Sequence, residues 1–267
     1  MAADRARESE RPDRLFEDPL AEVLAGSEGR SIMADMEAGL PENPTIPIRV
    51  RYFDDGLLTI LAAGRITQVV SVGAGMDTRA FRLGLAPDAV FFELDRPELL
   101  ALKDRRLAKA GARPTCARRA VCADLSGAWS DDLVSAGFKV AEPAVFLAEG
   151  LLGYLEEPEV HNFLDTLATL AAPDSVLLTD VAGPSPSYPE LATWLARRER
   201  AGMSQRFATD DPEGLLASHG WQAEVIEYGE DGANFGRWPW SPVDRRDPNW
   251  PHNYLITAYL SGRPVAC

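Results

Sequence analysis

The sequence is poor in histidine and in cysteine, with three of each in 267 residues. No cluster of histidines or further cysteines accompanies Cys116, Cys122 and Cys267, so the sequence predicts free thiols and no metal site. No apolar run reaches the roughly 20 residues that a membrane helix needs. The charged N-terminus also lacks the apolar segment of a signal peptide. These absences predict a cytoplasmic protein that has no membrane partner.

Positive charge is also scarce, because 27 Lys and Arg residues stand against 41 Asp and Glu residues, for a net charge of −14. A surface of this sign repels nucleic acids and anionic membranes. The basic pairs, such as Arg105-Arg106 and Arg245-Arg246, are short and scattered along the chain. A small-molecule substrate is therefore expected rather than a polymer, and the oligomeric state stays open.

Apolar segments rich in β-branched residues alternate with segments of helical spacing through the middle of the chain. Strands are predicted at 66–72, 89–94, 115–123, 144–148, 175–181, 221–228 and 252–260. Strands that alternate with helices imply right-handed crossovers and a mainly parallel sheet. The pattern predicts an α/β fold with seven strands, of which the last is antiparallel.

The two ends of this alternation suggest the domain organisation. Residues 1–13 are polar and expected to be frayed, and broken helical spacing follows them. We therefore predict an N-terminal helical cap over 1–63 and a core over 64–267. A proline-rich segment after the fifth strand leads into a predicted helix, and we interpret 183–209 as a lid inserted beside the ligand edge of the sheet.

One stretch organises the rest of the chain, and it begins with the apolar strand residues Val69, Val70 and Val72. A Gly73-Ala74-Gly75 turn follows, where missing side chains allow a sharp bend and close contact with a ligand. A helix is predicted over 78–85. A strand, a glycine turn and a helix form the ligand-binding corner of open α/β sheets.

Two ligands could use this corner. A dinucleotide-binding turn has a third glycine, but Thr78 occupies that position, and Asp77 places negative charge where a pyrophosphate would bind. S-adenosylmethionine (SAM) has no phosphate and carries a positive sulfonium and an amino group, which suit a nearby carboxylate. Both interpretations stay open at this point, together with a turn that binds nothing.

Acidic residues follow the next three predicted strands. Asp95 lies about 20 residues after the turn, where an acid can accept hydrogen bonds from ribose hydroxyls. Asp124, followed by an apolar residue, can accept from an adenine amino group. Glu149 lies within an apolar run and needs a partner. That partner is either a cationic part of SAM or a salt bridge to Arg49 or Arg79.

Five segments in order resemble the leucine carboxyl methyltransferase family, and most closely its bacterial branch, which includes O-methyltransferases of polyketide pathways. The segments are Arg49–Asp55, Val72–Arg79, Phe92–Asp95, Ala123–Leu125 and Ala148–Leu155. The resemblance covers about residues 15–182 and implies a Rossmann-like class I SAM methyltransferase fold. One departure is Ser126, where many relatives have an arginine that can hold a substrate carboxylate.

The resemblance also implies the cofactor, SAM, and the residues that contact it. They are Arg49 at the methionine carboxylate, the Gly73-Ala74-Gly75 turn, Asp95 at the ribose, Asp124 and Leu125 at the adenine, and Glu149 at the methionine amino end. Tyr154 matches a tyrosine near the acceptor in the family members that methylate proteins.

The acceptor site has weaker signals. Tyr188, Trp194, Phe235, Trp238, Trp240 and Trp250 fall in the lid and a late loop, where they either hold a flat substrate or simply pack. Arg197 or Arg198 either meets an acidic substrate group or lies on a solvated helix face. His252, at the start of the last strand, is the histidine that could face the pocket and act as a base.

We predict O-methylation of a small aromatic or polyketide-type compound. A carboxylate is already ionised at neutral pH, whereas a phenol usually needs a base. The scarcity of histidine favours a carboxylate or a readily ionised hydroxyl as acceptor. The alternatives are a SAM-binding protein that transfers no methyl group, such as a cyclase or scaffold, and an NAD-binding oxidoreductase.

Overall fold

A seven-stranded sheet organises the protein, whose computed structural model describes residues 1–39, 42–125, 127–184 and 189–260. The strands are β1 (Gln68–Val72), β2 (Val90–Asp95), β3 (Ala117–Cys122), β4 (Ala144–Ala148), β5 (Val176–Ala182), β6 (Trp221–Glu227) and β7 (Asn253–Leu260). Their order is β3-β2-β1-β4-β5-β7-β6. The first five are parallel, and β7 lies antiparallel between β5 and β6. The predicted mostly parallel sheet is confirmed.

Helices and one 3₁₀ turn connect the strands. They are α1 (Ala2–Glu10), α2 (Ala21–Glu37), α3 (Thr45–Ala62), α4 (Arg79–Arg82), α5 (Pro97–Lys109), α6 (Trp129–Ser135), the 3₁₀ turn Leu152–Tyr154, α7 (Glu157–Leu170), α8 (Pro189–Arg200) and α9 (Pro212–Ser218). Within the described residues, no helix is both long and apolar enough to cross a membrane.

The N-terminal segment is an ordered helix, so the expectation of frayed residues was wrong. Ala2, Ala3 and Ala6 of α1 are buried, because small side chains allow the helix to pack closely on its neighbours. Arg5, a charged residue of α1, also has polar partners. Arg5 is buried and donates to Asp18 at 2.8 Å and to the carbonyl of Met76 beside the glycine turn.

The helix after the glycine turn is shorter than predicted. α4 is a single turn, and Leu83 already has extended backbone with φ −83° and ψ 139°. Leu83 and Leu85 are buried in the same apolar cluster as the strands. Extended backbone after one turn allows both leucines to reach this cluster, which a continued helix to residue 85 would not.

Both faces of the sheet are covered, as its nearly continuous apolar strands predict. Leu147 of β4 packs in one buried cluster with Ile48, Phe53 and Leu57 of α3. Phe146 packs on the opposite face with α7. The last helix of the predicted cap therefore shares the core of the sheet, while the division into a cap over 1–63 and a core over 64–267 stays a prediction.

Candidate cofactor and acceptor site

A cavity of about 650 Å³ opens where the parallel strands β1, β4 and β5 end. Residues from α1, α2, α3 and α8 form its other walls. Sites for small molecules commonly have volumes of about 300–1,000 Å³, and in open α/β sheets they lie at this edge. The cavity is therefore the candidate functional site.

The Gly73-Ala74-Gly75 turn forms one wall of the cavity. Gly73 has a φ of 66°, and a Cβ there would lie 3.1 Å from a methyl of Leu151. The Gly75 amide donates to Oδ2 of Asp95 at 2.7 Å, which ties the turn to the end of β2. The backbone of the turn is thus held in place and open to close contact with a ligand.

Glu149 lies beside the turn and is paired with two arginines. Its Oε1 accepts from Nε of Arg49 at 3.0 Å, and its Oε2 lies 2.8 Å from Nη2 of Arg79. Arg49 also donates to Asp180 at 2.9 Å, and the other Asp180 oxygen accepts from the Gly150 amide at 2.6 Å. Both salt bridges considered for Glu149 from the sequence are therefore present.

The Arg79 guanidinium has two further acidic partners. Its Nε donates to Asp54 at 2.7 Å, and its Nη1 donates to Asp77 at 3.0 Å. Arg82 donates to the same Asp54 carboxylate. Arg79 is 3% exposed, and a guanidinium this deep needs such a set of carboxylates. The partners on several sides fix the orientation of the group that holds Glu149.

These pairs decide which carboxylates stay ionised. Burial raises the pKa of Glu149, but the charges of Arg79 and Arg49 outweigh burial and hold the pKa below its ordinary value. Asp77 behaves in the same way, chiefly through Arg79, and its pKa is also lowered. The pKa of Asp180 is raised, because burial outweighs the charge of Arg49. When all of these acids are ionised, the network contains four carboxylates, with Asp54 included, and three guanidinium groups, with Arg82 included. The excess negative charge suits a cationic ligand.

The opposite end of the cavity has a different character. The Arg198 guanidinium lies 4.7 Å from the ring of Trp194 and 5.9 Å from that of Tyr154, and all three residues line the cavity. Met36 and Met203 lie beside them, since their carbonyls accept from Arg197 and Arg198 of α8. All five methionines of the chain, which also include Met1, Met33 and Met76, line this cavity.

The structure brings most of the predicted site residues to this cavity. Arg49, Gly73, Ala74, Gly75, Glu149, Tyr154, Trp194 and Arg198 line it. Asp95, Asp124 and Leu125 lie next to it at the ends of β2 and β3, outside its lining. The two strand ends are joined by a hydrogen bond from the Ala123 amide to the Asp95 carbonyl. Tyr188 and Ser126 fall outside the described residues.

His252 is placed unfavourably for a base. It is 4% exposed and does not line the cavity. Its Nδ1 lies 3.0 Å from a Glu227 oxygen, and its Nε2 lies 2.9 Å from the Asp247 carbonyl. Both ring nitrogens are therefore engaged by the protein. The geometry gives no support to proton transfer by His252, and that role stays an untested prediction.

The late aromatic residues do not line the cavity, in contrast to one of the two interpretations from the sequence. Arg51 lies over the Phe235 ring at 5.7 Å, and Trp238 stacks on Tyr228 with ring centroids 5.5 Å apart. Trp240 packs edge-on against Trp238. Phe235 and Trp238 are partly buried against the core and Trp240 is exposed, so these rings pack on the protein outside the cavity.

The sequence analysis missed several cavity residues, among them Asp180 and Tyr228. Asp180 follows the apolar start of β5, and the rule applied to the acids after the other strands would have found it. Tyr228 follows β6 and lines the cavity, but a tyrosine after a strand gives no local signal. Its position depends on the order of strands in the sheet.

Comparison with known proteins decides between the possible ligands. The sequence profile of the leucine carboxyl methyltransferase family matches residues 1–168. The chain belongs to the leucine carboxyl methyltransferase family. The family assignment confirms the resemblance seen in the sequence, and it places the glycine turn and all but the last part of the charged cluster inside the matched region.

Relatives of this family member carry SAM in their names. A candidate SAM-dependent methyltransferase of Parafrankia sp. (strain EAN1pec) is 39% identical over 84% of this chain and 75% of the relative. One of Mycobacterium avium (strain 104) is 33% identical over 98% of this chain and 89% of the relative. The protein is therefore a SAM-dependent methyltransferase, and the dinucleotide alternative is not carried further.

Solved structures support the fold. A DUF574 family protein from Streptomyces avermitilis has a TM-score of 0.60 at 13% identity, with 97% of this chain and 96% of that chain covered. A candidate methyltransferase from Thermobifida fusca has a TM-score of 0.59 at 18% identity, with 95% and 96% covered. At these identities the similarity establishes the shared α/β architecture alone.

Proposed function

We propose that this family member is an O-methyltransferase that acts on a small, flat, aromatic or polyketide-type compound at a carboxylate or a readily ionised hydroxyl. The observation that carries the proposal is the Arg198 guanidinium, which is held between the rings of Trp194 and Tyr154 on the cavity wall. Aromatic rings offer large apolar contact to a flat acceptor, and a guanidinium pairs well with an oxyanion.

The charged end of the cavity fits SAM. The backbone of the Gly73-Ala74-Gly75 turn leaves room for close approach, and Arg49 offers a guanidinium to the methionine carboxylate. Glu149 is ionised and faces the side where a cationic amino group would bind. Asp95, Asp124 and Leu125 are assigned to the nucleoside, because they follow β2 and β3 next to the turn.

When bound, SAM supplies a methyl group on a positively charged sulfur. The acceptor oxygen forms a bond to this carbon as the carbon–sulfur bond breaks, which gives the methylated acceptor and S-adenosylhomocysteine. An acceptor that is already ionised has no proton to lose. The residues of the chain then need only hold and orient the two reactants, which can lower a barrier by about 7–11 kcal/mol.

The cavity favours such an acceptor over one that needs deprotonation. Of the described residues that line it, Asp180 is an acid with a raised pKa, but both of its oxygens accept hydrogen bonds from Arg49 and Gly150. His252 lies outside the lining. Catalysis by proximity and orientation at an ionised oxygen therefore needs the fewest additional groups.

The test has two stages. Calorimetry measures the binding of SAM and of S-adenosylhomocysteine. Methyl-labelled SAM is then incubated with the protein and with salicylate, 1-naphthoate or 2-naphthol, and the products are separated. We expect a labelled ester or ether together with S-adenosylhomocysteine. Transfer to a nitrogen or carbon acceptor instead would overturn O-methylation, and tight binding of SAM without transfer to any acceptor would favour the cyclase or scaffold alternative.

A further inference from the structure

Tyr228 is held rigidly at the cavity by the late aromatic loop. Its ring stacks on Trp238 with an angle of 21° between the ring planes. The next residue, Gly229, has a φ of 94°, and a Cβ there would lie 2.3 Å from the Trp238 ring. Trp240 packs edge-on against Trp238, with ring centroids 4.8 Å apart. Only a glycine at position 229 allows Trp238 to lie against Tyr228, so these residues together fix one ring.

Tyr228 is a buried residue of the cavity wall. Tyr228 is 7% exposed and lines the cavity. Among the described residues, no group forms a hydrogen bond with its hydroxyl. Burial raises the pKa of Tyr228; the Arg49 charge opposes this effect, and Asp180 and Glu149 add to it. The hydroxyl therefore keeps its proton at neutral pH and can donate a hydrogen bond.

The order of strands places this donor on the acceptor side. Glu149 follows β4, and Asp180 lies in β5 on the same face, because Ala148 pairs with Thr179. Asp180 pairs with Leu255 of β7, which pairs with Ile226 of β6. Tyr228 lies two residues beyond Ile226, so it belongs to the same face.

β6 is the strand farthest from β1 and β2 on this side of the sheet. The glycine turn and Asp95 lie at β1 and β2, and with them the part of the site assigned to the cofactor. Asn253 of β7 also lines the cavity; it lies two residues from Leu255 on the same face and pairs with Ala182 of β5. A cofactor that extends from the turn to Arg49 and Glu149 reaches β4 and β5. Tyr228 follows β6, the strand beyond these two on the same face, which is the side left for the second reactant.

We propose that Tyr228 contacts the acceptor and that its hydroxyl donates a hydrogen bond to an acceptor oxygen, so that oxyanionic acceptors are selected and oriented. The inference rests on the proposed function, because it needs a second reactant beside SAM. Tyr228 and Arg198 then recognise oxygen atoms of the acceptor from two walls, and the methionines and Trp194 contact its apolar part.

The test compares Tyr228→Phe with the wild type and with Tyr259→Phe as control. Phenylalanine keeps the ring on Trp238 and removes only the hydroxyl. Tyr259 lies on β7 with 42% of its surface exposed, away from the cavity lining. Calorimetry first measures the binding of S-adenosylhomocysteine. Salicylate, 1-naphthoate and 2-naphthol are then titrated into each protein saturated with that product.

We expect Tyr228→Phe to bind S-adenosylhomocysteine within twofold of the wild type, and its preferred probe about tenfold more weakly, as for a lost hydrogen bond to a charged group. Tyr259→Phe should match the wild type in both. Equal probe affinity in Tyr228→Phe would overturn the proposal, and so would failure of all three probes to bind the saturated wild type. A tenfold loss of affinity for S-adenosylhomocysteine would show that Tyr228 contacts the cofactor instead of the acceptor. Absence of any binding of that product to the wild type would instead overturn the proposed function.

Discussion

The two ends of the cavity are built from different chemistry. At the glycine turn, Arg49 and Arg79 are each paired with two or more carboxylates at 2.7–3.0 Å. At α8, the Arg198 guanidinium lies over the rings of Trp194 and Tyr154 and donates to the Met203 carbonyl, and Met36 and Met203 also line the cavity. A network of buried pairs has one favourable arrangement, whereas methionine adapts to the shape of its neighbour. Changes at the charged end should therefore abolish binding, and changes at the apolar end should alter it by small factors.

The largest effect is expected for Glu149→Gln. The change leaves Arg49 and Arg79 without a shared anion, and breaking a buried ion pair costs about 3–5 kcal/mol of folding free energy. The negative charge that faces the cationic end of SAM is also lost. We expect the affinity for SAM, measured by calorimetry, to decrease by more than about 100-fold, which corresponds to a loss of about 3 kcal/mol of binding free energy.

A matched control is Glu17→Gln, which removes a carboxylate that is 65% exposed beside Arg14. Its affinity for SAM and its midpoint of thermal unfolding should equal those of the wild type, because exposed pairs contribute little. Wild-type affinity in Glu149→Gln would show that the charged network does not hold the cofactor.

The stability that Glu149 contributes should depend on pH in one direction. The pKa of Glu149 in the folded protein lies below the unfolded value of about 4.5, so the folded state favours the ionised form. The contribution is then complete above pH 4.5 and decreases as the pH falls through the folded pKa. The difference in unfolding free energy between the wild type and Glu149→Gln should be constant from pH 6 to 8 and decrease below about pH 4.5.

Urea denaturation at a series of pH values measures this difference. Asp180 has a raised pKa and acts in the opposite sense, but it is present in both proteins and largely cancels in the difference. A difference that grows as the pH falls would contradict the direction of the Glu149 pKa shift.

Much of this site could be predicted from local sequence. The strands and the glycine turn follow from runs of apolar residues and from missing side chains, which are local properties. Glu149 stood out because a carboxylate in an apolar run requires a partner. The order of strands, and thus the row that joins Glu149 to Asp180 and Tyr228, depends on contacts between distant segments.

The errors have the same origin. Polar residues in α1 predicted a frayed segment, because the sequence does not show that Arg5 meets Asp18 or that Arg237 meets Glu8 from 229 residues away. The position of Trp238 was also open in the sequence, because its ring could stack on a substrate or, as the structure has it, on Tyr228. A burial pattern within one helix or loop cannot distinguish these partners.

A smaller effect is expected for Arg198→Ala at the apolar end. The change removes a cation that lies between two rings, with its terminal nitrogens toward the acceptor in the proposed function. We expect about tenfold weaker binding of 1-naphthoate to the protein saturated with S-adenosylhomocysteine, and no change in the binding of that product. Arg198→Lys should bind with intermediate affinity, because an ammonium keeps the charge but not the planar group.

Arg200→Ala serves as the control on the same helix, since Arg200 is exposed and its Nε donates to the Ala196 carbonyl. If Arg200→Ala weakens 1-naphthoate as much as Arg198→Ala does, the effect is long-range attraction and not a contact. Calorimetry at two salt concentrations would show this directly, because screening weakens distant charges first.

The smallest effects should come from the methionines, and they would locate the boundary between the two ends. Met33 and Met76 pack with Leu24 and Leu107, on the side of the glycine turn, whereas Met36 and Met203 lie beside α8. Met203→Leu conserves volume and should change 1-naphthoate affinity by less than about tenfold. Spectra of protein labelled at the methionine methyl groups give the sharper result. S-adenosylhomocysteine should shift the Met76 resonance first, and 1-naphthoate should then shift those of Met36 and Met203. The reverse order would place the acceptor at the glycine turn, because a methyl resonance responds chiefly to the ring or charge in direct contact with it.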